Sequence, residues 1–281
     1  MKIGISTFAF TSPFCNEEIG LVEKVAKMGF NVFEMAMEDP AKIDPYLMKD
    51  TLQKNNLEVT ACAVIGDGRD LSSDDEQIRK GTKKYLRECI DLAEKVGSEV
   101  VAGALYSTVG KRRFISQNEK KEEWSRAVES LKEMAAYAGD HNIKLAMEPL
   151  NRFENDMINT VEQGLDMISQ VNSPNLGLLL DTFHMHIEEK DTKKAILAAG
   201  DRIFHMHTCE NDRSIPGTGQ VDWKGVSEAL RTVNYQKACV IEAFTPKLTS
   251  LAAAVCLWRP LAPSQDVLAK EGLDFLKKLF S

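Results

Sequence analysis

The chain has 281 residues, 43% of them hydrophobic, which is enough for two ordinary domains or for one barrel of eight β/α units. Its 35 basic and 42 acidic side chains give a net charge of -7, which argues against a broad nucleic-acid-binding surface. Since no 18-residue apolar run and no secretory signal pattern is present, we expect a soluble, cytoplasmic protein that binds neither nucleic acid nor membrane.

Short apolar runs alternate with helix-like segments along the whole chain. The predicted strands are 2–6, 32–37, 59–65, 100–106, 144–148 and three runs ending at Asp181, His207 and Glu242. The predicted helices are 16–28, 43–55, 74–96, 118–141, 160–171, one after Asp191, one after Asp222, and 264–279. Such continuous apolar strands are typical of a parallel sheet covered on both faces. Eight units favour an α/β fold with one closed (β/α)8 barrel, a single domain spanning 1–281.

Four side chains with metal-binding chemistry stand at the ends of successive predicted strands: Glu148, Asp181, His207 and Glu242. In this kind of barrel, functional residues lie at the carboxyl ends of the strands. Three carboxylates and one imidazole without a thiolate indicate a site for Mn²⁺, Mg²⁺ or Co²⁺ rather than for a structural zinc. The alternative for each residue alone is a solvated or salt-bridged charge.

Histidine and cysteine positions refine this interpretation. Four of the five histidines lie near the ends of predicted strands six and seven, and His205 and His207 share one face, so that one can ligate while the other supports it. The six cysteines contain no Cys-x-x-Cys pair, and we expect reduced thiols. For Cys209, two residues after His207, a packing role is favoured over ligation.

The two glutamates suggest an acid/base pair on either side of a bound substrate. A positioned base supplies about 10²- to 10⁴-fold of rate acceleration, whereas enzymes usually need at least about 10⁶-fold. The remainder must come from positioning and from stabilisation of developing charge by the metal ion. Proton abstraction next to a carbonyl is the chemistry that this pattern favours.

Five segments carry a family resemblance: MEPLNRFE at 147–154, LDTFHM at 180–185, ENDRSIPGTGQVDW at 210–223, IEAF at 241–244 and WRPLAPSQD at 258–266. With them the chain resembles the ketose 3-epimerases, the D-tagatose 3-epimerase and D-allulose (psicose) 3-epimerase group. The resemblance implies a xylose-isomerase-like TIM barrel, a homodimer or homotetramer, and one Mn²⁺ or Co²⁺ ion per chain, with Mg²⁺ possible.

The same resemblance implies roles for individual residues. The metal ligands fall on Glu148, Asp181, His207 and Glu242, and the two glutamates exchange the proton at C3 of a free ketohexose or ketopentose through a cis-enediolate. The clamp on the O1 to O3 end of the sugar falls on Glu154, His184 and Arg213. Phe244 and Gly66 are further candidate substrate contacts.

Other interpretations stay open at this point. An aldose-ketose or hydroxypyruvate-type isomerase would use the same site, and a DNA-repair phosphodiesterase of the same superfamily or a non-catalytic sugar-binding protein is less favoured. The loop cations Lys111, Arg112 and Arg113 could meet a phosphorylated ketose, although a solvated loop is the favoured reading. PGTGQVDW is interpreted as a turn in which Asp222 caps the next helix and Trp223 packs beneath it.

Overall fold

In the computed structural model, which describes residues 1–66 and 68–281, eight parallel strands form a closed barrel. Each strand pairs with its neighbours in chain order, and β8 pairs with β1. The strands are β1 Lys2–Ser6, β2 Val32–Met37, β3 Glu58–Ala63, β4 Val100–Gly103, β5 Lys144–Met147, β6 Leu176–Asp181, β7 Ile203–His207 and β8 Ala238–Ile241. The predicted (β/α)8 barrel is therefore confirmed.

Helices surround this barrel. They are α1 Gly20–Met28, α2 Pro45–Lys54, α3 Glu76–Val96, α4 Gln117–Asp140, α5 Val161–Val171, α6 Thr182–Glu188, α7 Thr192–Ala199, α8 Trp223–Thr232, α9 Thr249–Ala254 and α10 Gln265–Phe280. Strands β2, β6 and β7 are buried along their whole length because the side chains of one face fill the barrel while those of the other face meet the helices. Among the described residues, the helices include none long and apolar enough to cross a membrane.

The predicted helix caps are present. Thr160 and Gln163 form a capping box that starts α5, and Asn172 ends it in the left-handed conformation with φ of 54°. Asp222 starts α8 by accepting a hydrogen bond from the backbone N–H of Gly225 at 3.0 Å. The start of α5, the end of α5 and the start of α8 are thus set by residues within the local sequence.

Five elements differ clearly from the predicted ones. The predicted strand 100–106 ends at Gly103, whose φ of 128° turns the chain out of the sheet, and the strand predicted to reach residue 65 ends at Ala63. Helices α6 and α9 were not predicted; α6 begins directly at the end of β6, where Asp181 caps it by accepting from the N–H of Phe183 at 2.8 Å. The predicted helix 16–28 is divided into a 3-10 turn and α1.

Candidate active site

The four strand-end residues singled out by the sequence converge at one end of the barrel. Glu148 directly follows β5, Asp181 ends β6, His207 ends β7 and Glu242 directly follows β8. All four are buried, and one ligand atom from each lies within 4.8 Å of the others. This grouping arises because parallel strands in a barrel bring their carboxyl ends to one rim.

Two atoms of this cluster are buried without any hydrogen-bond partner among the described residues: Oε1 of Glu148 and Nδ1 of His207. Nδ1 of His207 lies 3.8 Å from Oε1 of Glu148 and 3.7 Å from Oε1 of Glu242. A buried polar atom without a partner is destabilising, and a cation between these atoms would satisfy both of them. Three carboxylates and one imidazole are also a donor set that suits a divalent ion, so the residues fit the implied metal.

The pKa shifts of the clustered carboxylates also indicate a site that suits a cation. Burial, and next the charge of Glu242, raise the pKa of Glu148 well above its ordinary value. Burial also raises the pKa of Asp181, to about 6, against the opposing effect of Arg213. Like charges packed together in a buried site disfavour ionisation, and a divalent cation among them reverses this preference.

Behind His207 lies a residue that the sequence reading missed, Glu34 of β2. Nε2 of His207 donates to Oε1 of Glu34 at 2.9 Å, and Nε2 of His205 donates to Oε2 of Glu34 at 2.6 Å. Burial alone raises the pKa of Glu34, but the two histidines outweigh it and the pKa lies well below its ordinary value. The available signal was the single acid in the otherwise apolar strand VFEMAM.

Arg213 reaches into the site from the loop after β7 and is buried. Its guanidinium donates to Oε2 of Glu242 at 2.9 Å and lies 3.5 Å from Oε1 of Glu154. The rings of Phe183 and Phe244 lie 4.1 and 4.7 Å from its Cζ atom, which holds the planar group between two aromatic surfaces. The structure thus brings Arg213, Glu154 and Phe244 to one wall.

His184, from α6, completes the group predicted to clamp the sugar. Its Nδ1 accepts from the backbone N–H of Asn151 at 3.0 Å, so its Nε2 carries the proton and faces Oε1 of Glu148 at 3.7 Å. Burial lowers the pKa of His184 well below its ordinary value, with a further contribution from Arg213, which keeps the ring neutral. Asn151 is a second residue that the sequence reading did not single out.

A cavity of about 490 Å³ opens above the cluster. The side chains of Glu148, Glu154, His184, Arg213, Glu242 and Phe244 line it together with Gly66. The rest of its lining is mostly apolar, with Phe8, Val64, Leu150, Leu251 and Val255, and includes one cation, Arg112. The volume falls within the usual range for small-molecule sites. A second cavity, of about 560 Å³, is lined by residues from the opposite ends of the strands and by His205, but by none of the predicted acid/base or sugar-binding residues.

The contacts of the loop cations Lys111 and Arg113 argue against a phosphate-binding role for these two residues. Lys111 donates to Oδ2 of Asp70 at 2.8 Å and lies 3.3 Å from Oε1 of Glu123. Arg113 forms two hydrogen bonds with Glu123, at 2.7 and 2.8 Å, and pairs with Asp156. Arg112 is exposed, and its one side-chain hydrogen bond to a described residue is to the backbone carbonyl of Phe153, at 3.3 Å. The favoured interpretation of a solvated loop is therefore wrong for Lys111, whose side chain is only 8% exposed.

The segment 210–223 is organised by the buried carboxylate of Glu210. This carboxylate accepts from the backbone N–H groups of Gly217 and Val221 at 2.8 and 3.0 Å and from the indole N–H of Trp223 at 2.9 Å. The interpretation of PGTGQVDW as a turn with Trp223 packed beneath it is confirmed. The turn fixes the loop from which Arg213 extends.

The cysteines behave as expected, since all six, each within the described residues, are free thiols. Cys209 is buried, and its sulfur lies 3.4 Å from Oδ2 of Asp181 and 3.1 Å from the backbone carbonyl oxygen of Glu242, either of which can accept its one hydrogen. Burial raises the pKa of this thiol well above its ordinary value, so it is a poor source of thiolate. The thiol therefore packs against Asp181 and the backbone of Glu242, in agreement with the predicted packing role.

A closed parallel barrel with a buried carboxylate–histidine cluster at its carboxyl rim is the arrangement of a TIM-barrel enzyme, because the active sites of such barrels lie at this rim. A family model described as Xylose isomerase-like TIM barrel matches residues 22–279, and the chain belongs to that family. Within it, the chain is 36% identical over 281 residues to a probable ketose 3-epimerase of Synechocystis sp., covering 100% of this chain and 97% of that protein.

Two further relatives agree. An L-ribulose 3-epimerase of Methylomonas sp. is 34% identical and matches 91% of this chain and 89% of its own length. A solved structure of a Methylomonas D-allulose 3-epimerase in complex with D-allulose superposes with a TM-score of 0.93 at 31% identity, covering 99% of this chain and 96% of that one. The chain is thus a member of the ketose 3-epimerases, isomerase-class enzymes that act on sugars, and the predicted family is confirmed.

Proposed function

We propose that this protein is a metal-dependent ketose 3-epimerase that interconverts C3 epimers of free ketohexoses or ketopentoses, such as D-fructose and D-allulose or D-tagatose and D-sorbose. The observation that carries the proposal is that the buried side chains of Glu148 and Glu242 lie 3.8 and 3.7 Å from Nδ1 of His207 and line one cavity. Relatives named for L-ribulose and for D-psicose support a substrate range that covers five- and six-carbon ketoses.

Glu148 and Glu242 are proposed as the two acid/base groups. One carboxylate removes the proton from C3, which leaves an enediolate in the substrate, and the other returns a proton to the opposite face. The direction of the reaction decides which glutamate acts first. Both side chains line the same cavity, so that each can reach a bound sugar.

The same two glutamates, Asp181 and His207 are proposed to hold one Mn²⁺ or Co²⁺ ion per chain, with Mg²⁺ as a further candidate. When bound there, the ion would polarise the substrate carbonyl and stabilise the negative charge that develops on its oxygens, which contributes several kcal/mol in such sites. The partnerless Nδ1 of His207 and Oε1 of Glu148 support this assignment.

Arg213, His184 and Glu154 are proposed to bind the O1 to O3 end of the ketose. Arg213 and the Nε2–H of His184 offer donors, and Oε1 of Glu154 is positioned by the side-chain amide of Asn151 at 2.9 Å. Phe244 and Gly66, which line the same cavity, are proposed to contact the carbon face of the sugar. A neutral His184 and a charged Arg213 therefore act as donors, while Glu154 acts as acceptor.

A free rather than a phosphorylated sugar is supported by the loop after β4. Lys111 and Arg113 are engaged with carboxylates, which leaves Arg112 as the one cation of this loop that lines the otherwise mostly apolar outer part of the cavity. A phosphate dianion would need several unengaged cationic donors in this part of the cavity.

The remaining predictions concern the whole molecule. We propose one (β/α)8 domain per chain, a homodimer or homotetramer, and a cytoplasmic location. Among the described residues four aromatic side chains are largely exposed, Tyr46, Phe114, Phe153 and Trp258, and a partner subunit would cover such surface. Light scattering after size-exclusion chromatography tests the assembly.

The decisive experiment is proton exchange at C3, followed by NMR in heavy water with free ketoses and with Mn²⁺, Co²⁺ or Mg²⁺ added singly. We expect deuterium at C3 together with the epimeric ketose. Deuterium at C1 or C2 with an aldose product would instead identify an aldose-ketose isomerase, and no exchange with any sugar would refute the proposal. A double variant, Glu148→Gln with Glu242→Gln, is the inactive control, and full turnover by it would refute the acid/base assignment.

A further inference from the structure

We propose that Glu34 is a positioning residue that fixes the orientation and the tautomer of His207, so that the lone pair of Nδ1 faces the three carboxylates. The inference rests on the proposed metal site, and it assigns part of that site's affinity to a residue on the opposite side of the barrel interior. Glu34 and His207 are 173 positions apart in the chain.

Glu34 occupies an unusual position for an acid. It lies within β2, is completely buried, and is paired in the sheet with Ser6 of β1 and Thr60 of β3. A buried carboxylate is strongly destabilising unless hydrogen bonds satisfy its oxygens. Here Oε1 accepts from His207 at 2.9 Å, and Oε2 accepts from His205 at 2.6 Å and from Oγ1 of Thr60 at 3.2 Å. Every partner is contributed by an inward-facing position of the barrel.

The hydrogen-bond directions determine the tautomer of His207. An ionised carboxylate only accepts, so the hydrogen between His207 and Glu34 is carried by Nε2 of the ring. A neutral imidazole with its hydrogen on Nε2 has its lone pair on Nδ1, which is the atom that faces Glu148 and Glu242. Partners of this kind behind a ligating histidine orient the ring and raise its basicity.

His205 has a complementary role. Its Nε2–H occupies the second oxygen of Glu34, and the rings of His205 and His207 meet edge to face with centroids 5.3 Å apart. The carboxylate therefore bridges two rings and needs two acceptor oxygens to do so. A glutamine of the same shape offers one acceptor and one donor, so in Glu34→Gln one of the two rings must change its tautomer or lose its bond.

The test compares the wild-type protein with Glu34→Gln, using Mn²⁺ as the probe and isothermal titration calorimetry as the readout. We expect binding about 10- to 100-fold weaker in the variant, the usual effect of losing such a partner. The matched control is Thr60→Val, which removes a bond to the same carboxylate but leaves that to His207, and we expect its affinity to stay within about 3-fold, because only the supporting bond is lost.

A second measurement does not depend on any variant being folded. In wild-type protein loaded with diamagnetic Zn²⁺ as a probe, ¹⁵N NMR of the histidine side chains is expected to show the hydrogen of His207 on Nε2. A hydrogen on Nδ1, or equal Mn²⁺ affinity in a folded Glu34→Gln protein, would overturn the inference. If the wild-type protein bound no metal, the proposed metal site would fail and the inference with it, whereas equal binding by both proteins overturns the inference alone.

Discussion

Replacing Lys111 by methionine tests whether this residue belongs to the fold or to the substrate site. The ammonium group of Lys111 is bound to Asp70 at 2.8 Å and to the hydroxyl of Ser72 at 2.7 Å, and it lies 3.3 Å from Glu123. The side chains of Lys111, Asp70 and Glu123 are only 8%, 11% and 11% exposed. Lys111→Met keeps most of the side-chain volume and removes the charge, so it leaves Oδ2 of Asp70 buried without its cation.

Breaking a buried ion pair on one side is destabilising by about 3–5 kcal/mol. We expect about 3 kcal/mol, the lower end of that range, because Glu123 keeps its bonds to Arg113. For 281 residues the entropy of unfolding is about 0.6 kcal/mol/K, so the melting temperature should fall by about 5 °C.

Differential scanning calorimetry measures this change, and steady-state kinetics with a free and a phosphorylated ketose measure the function. The matched control is Arg112→Met, at the exposed neighbouring position, which should change the free energy of unfolding by no more than about 0.5 kcal/mol. The reasoning would be refuted if Lys111→Met left the melting temperature unchanged and raised KM for the phosphorylated sugar alone. Equal destabilisation by both variants would also contradict it.

Three other predictions follow from the structure. Saturating the protein with Mn²⁺ at about 100 times Kd should stabilise it by about 2.7 kcal/mol, and a chelator should reverse the rise in melting temperature; no shift would contradict a metal site. Gly103→Ala should destabilise the protein by about 1–3 kcal/mol, because Gly103 has φ of 128° and the added Cβ would lie 2.5 Å from the carbonyl oxygen of Ala63. The substitution should also lower turnover, because the carbonyl oxygen of Gly103 accepts a hydrogen bond from the backbone N–H of Glu148 at 3.0 Å. Gly81→Ala, with open space in α3, is the control and should stabilise by about 0.5–1 kcal/mol in urea unfolding. Burial raises the pKa of Glu123, but Arg113 and Lys111 outweigh burial and lower the pKa below 4.5. The stability that the Glu123 carboxylate contributes is therefore present above pH 4.5 and is lost as the pH falls through the lowered pKa. In urea unfolding, Glu123→Gln should be less stable than the wild type at neutral pH by an amount that shrinks in acid, and a difference independent of pH would contradict this.

The sequence by itself determined the barrel and which polar residues lie at the carboxyl ends of its strands. Apolar strands, each followed by a helix, have one favourable closed arrangement, and a polar residue at the carboxyl end of such a strand must reach the same rim as the others. Glu148, Asp181, His207 and Glu242 could therefore be grouped without knowing any side-chain direction. The same holds for the caps at Thr160 and Asp222, which are set by neighbours within three residues.

What only the tertiary structure decided are contacts between residues distant in the chain. The acid of β2 bonds to two histidines more than 170 positions away, and Lys111 reaches Asp70 across 41 positions. Local pattern contains no information on such pairs, because strand register and barrel closure decide which inward-facing side chains meet. The ends of β3 and β4 also escaped prediction, since an apolar run continues past Gly103 while its backbone turns away from the sheet. Burial then makes each of these charges stable only with its distant partner.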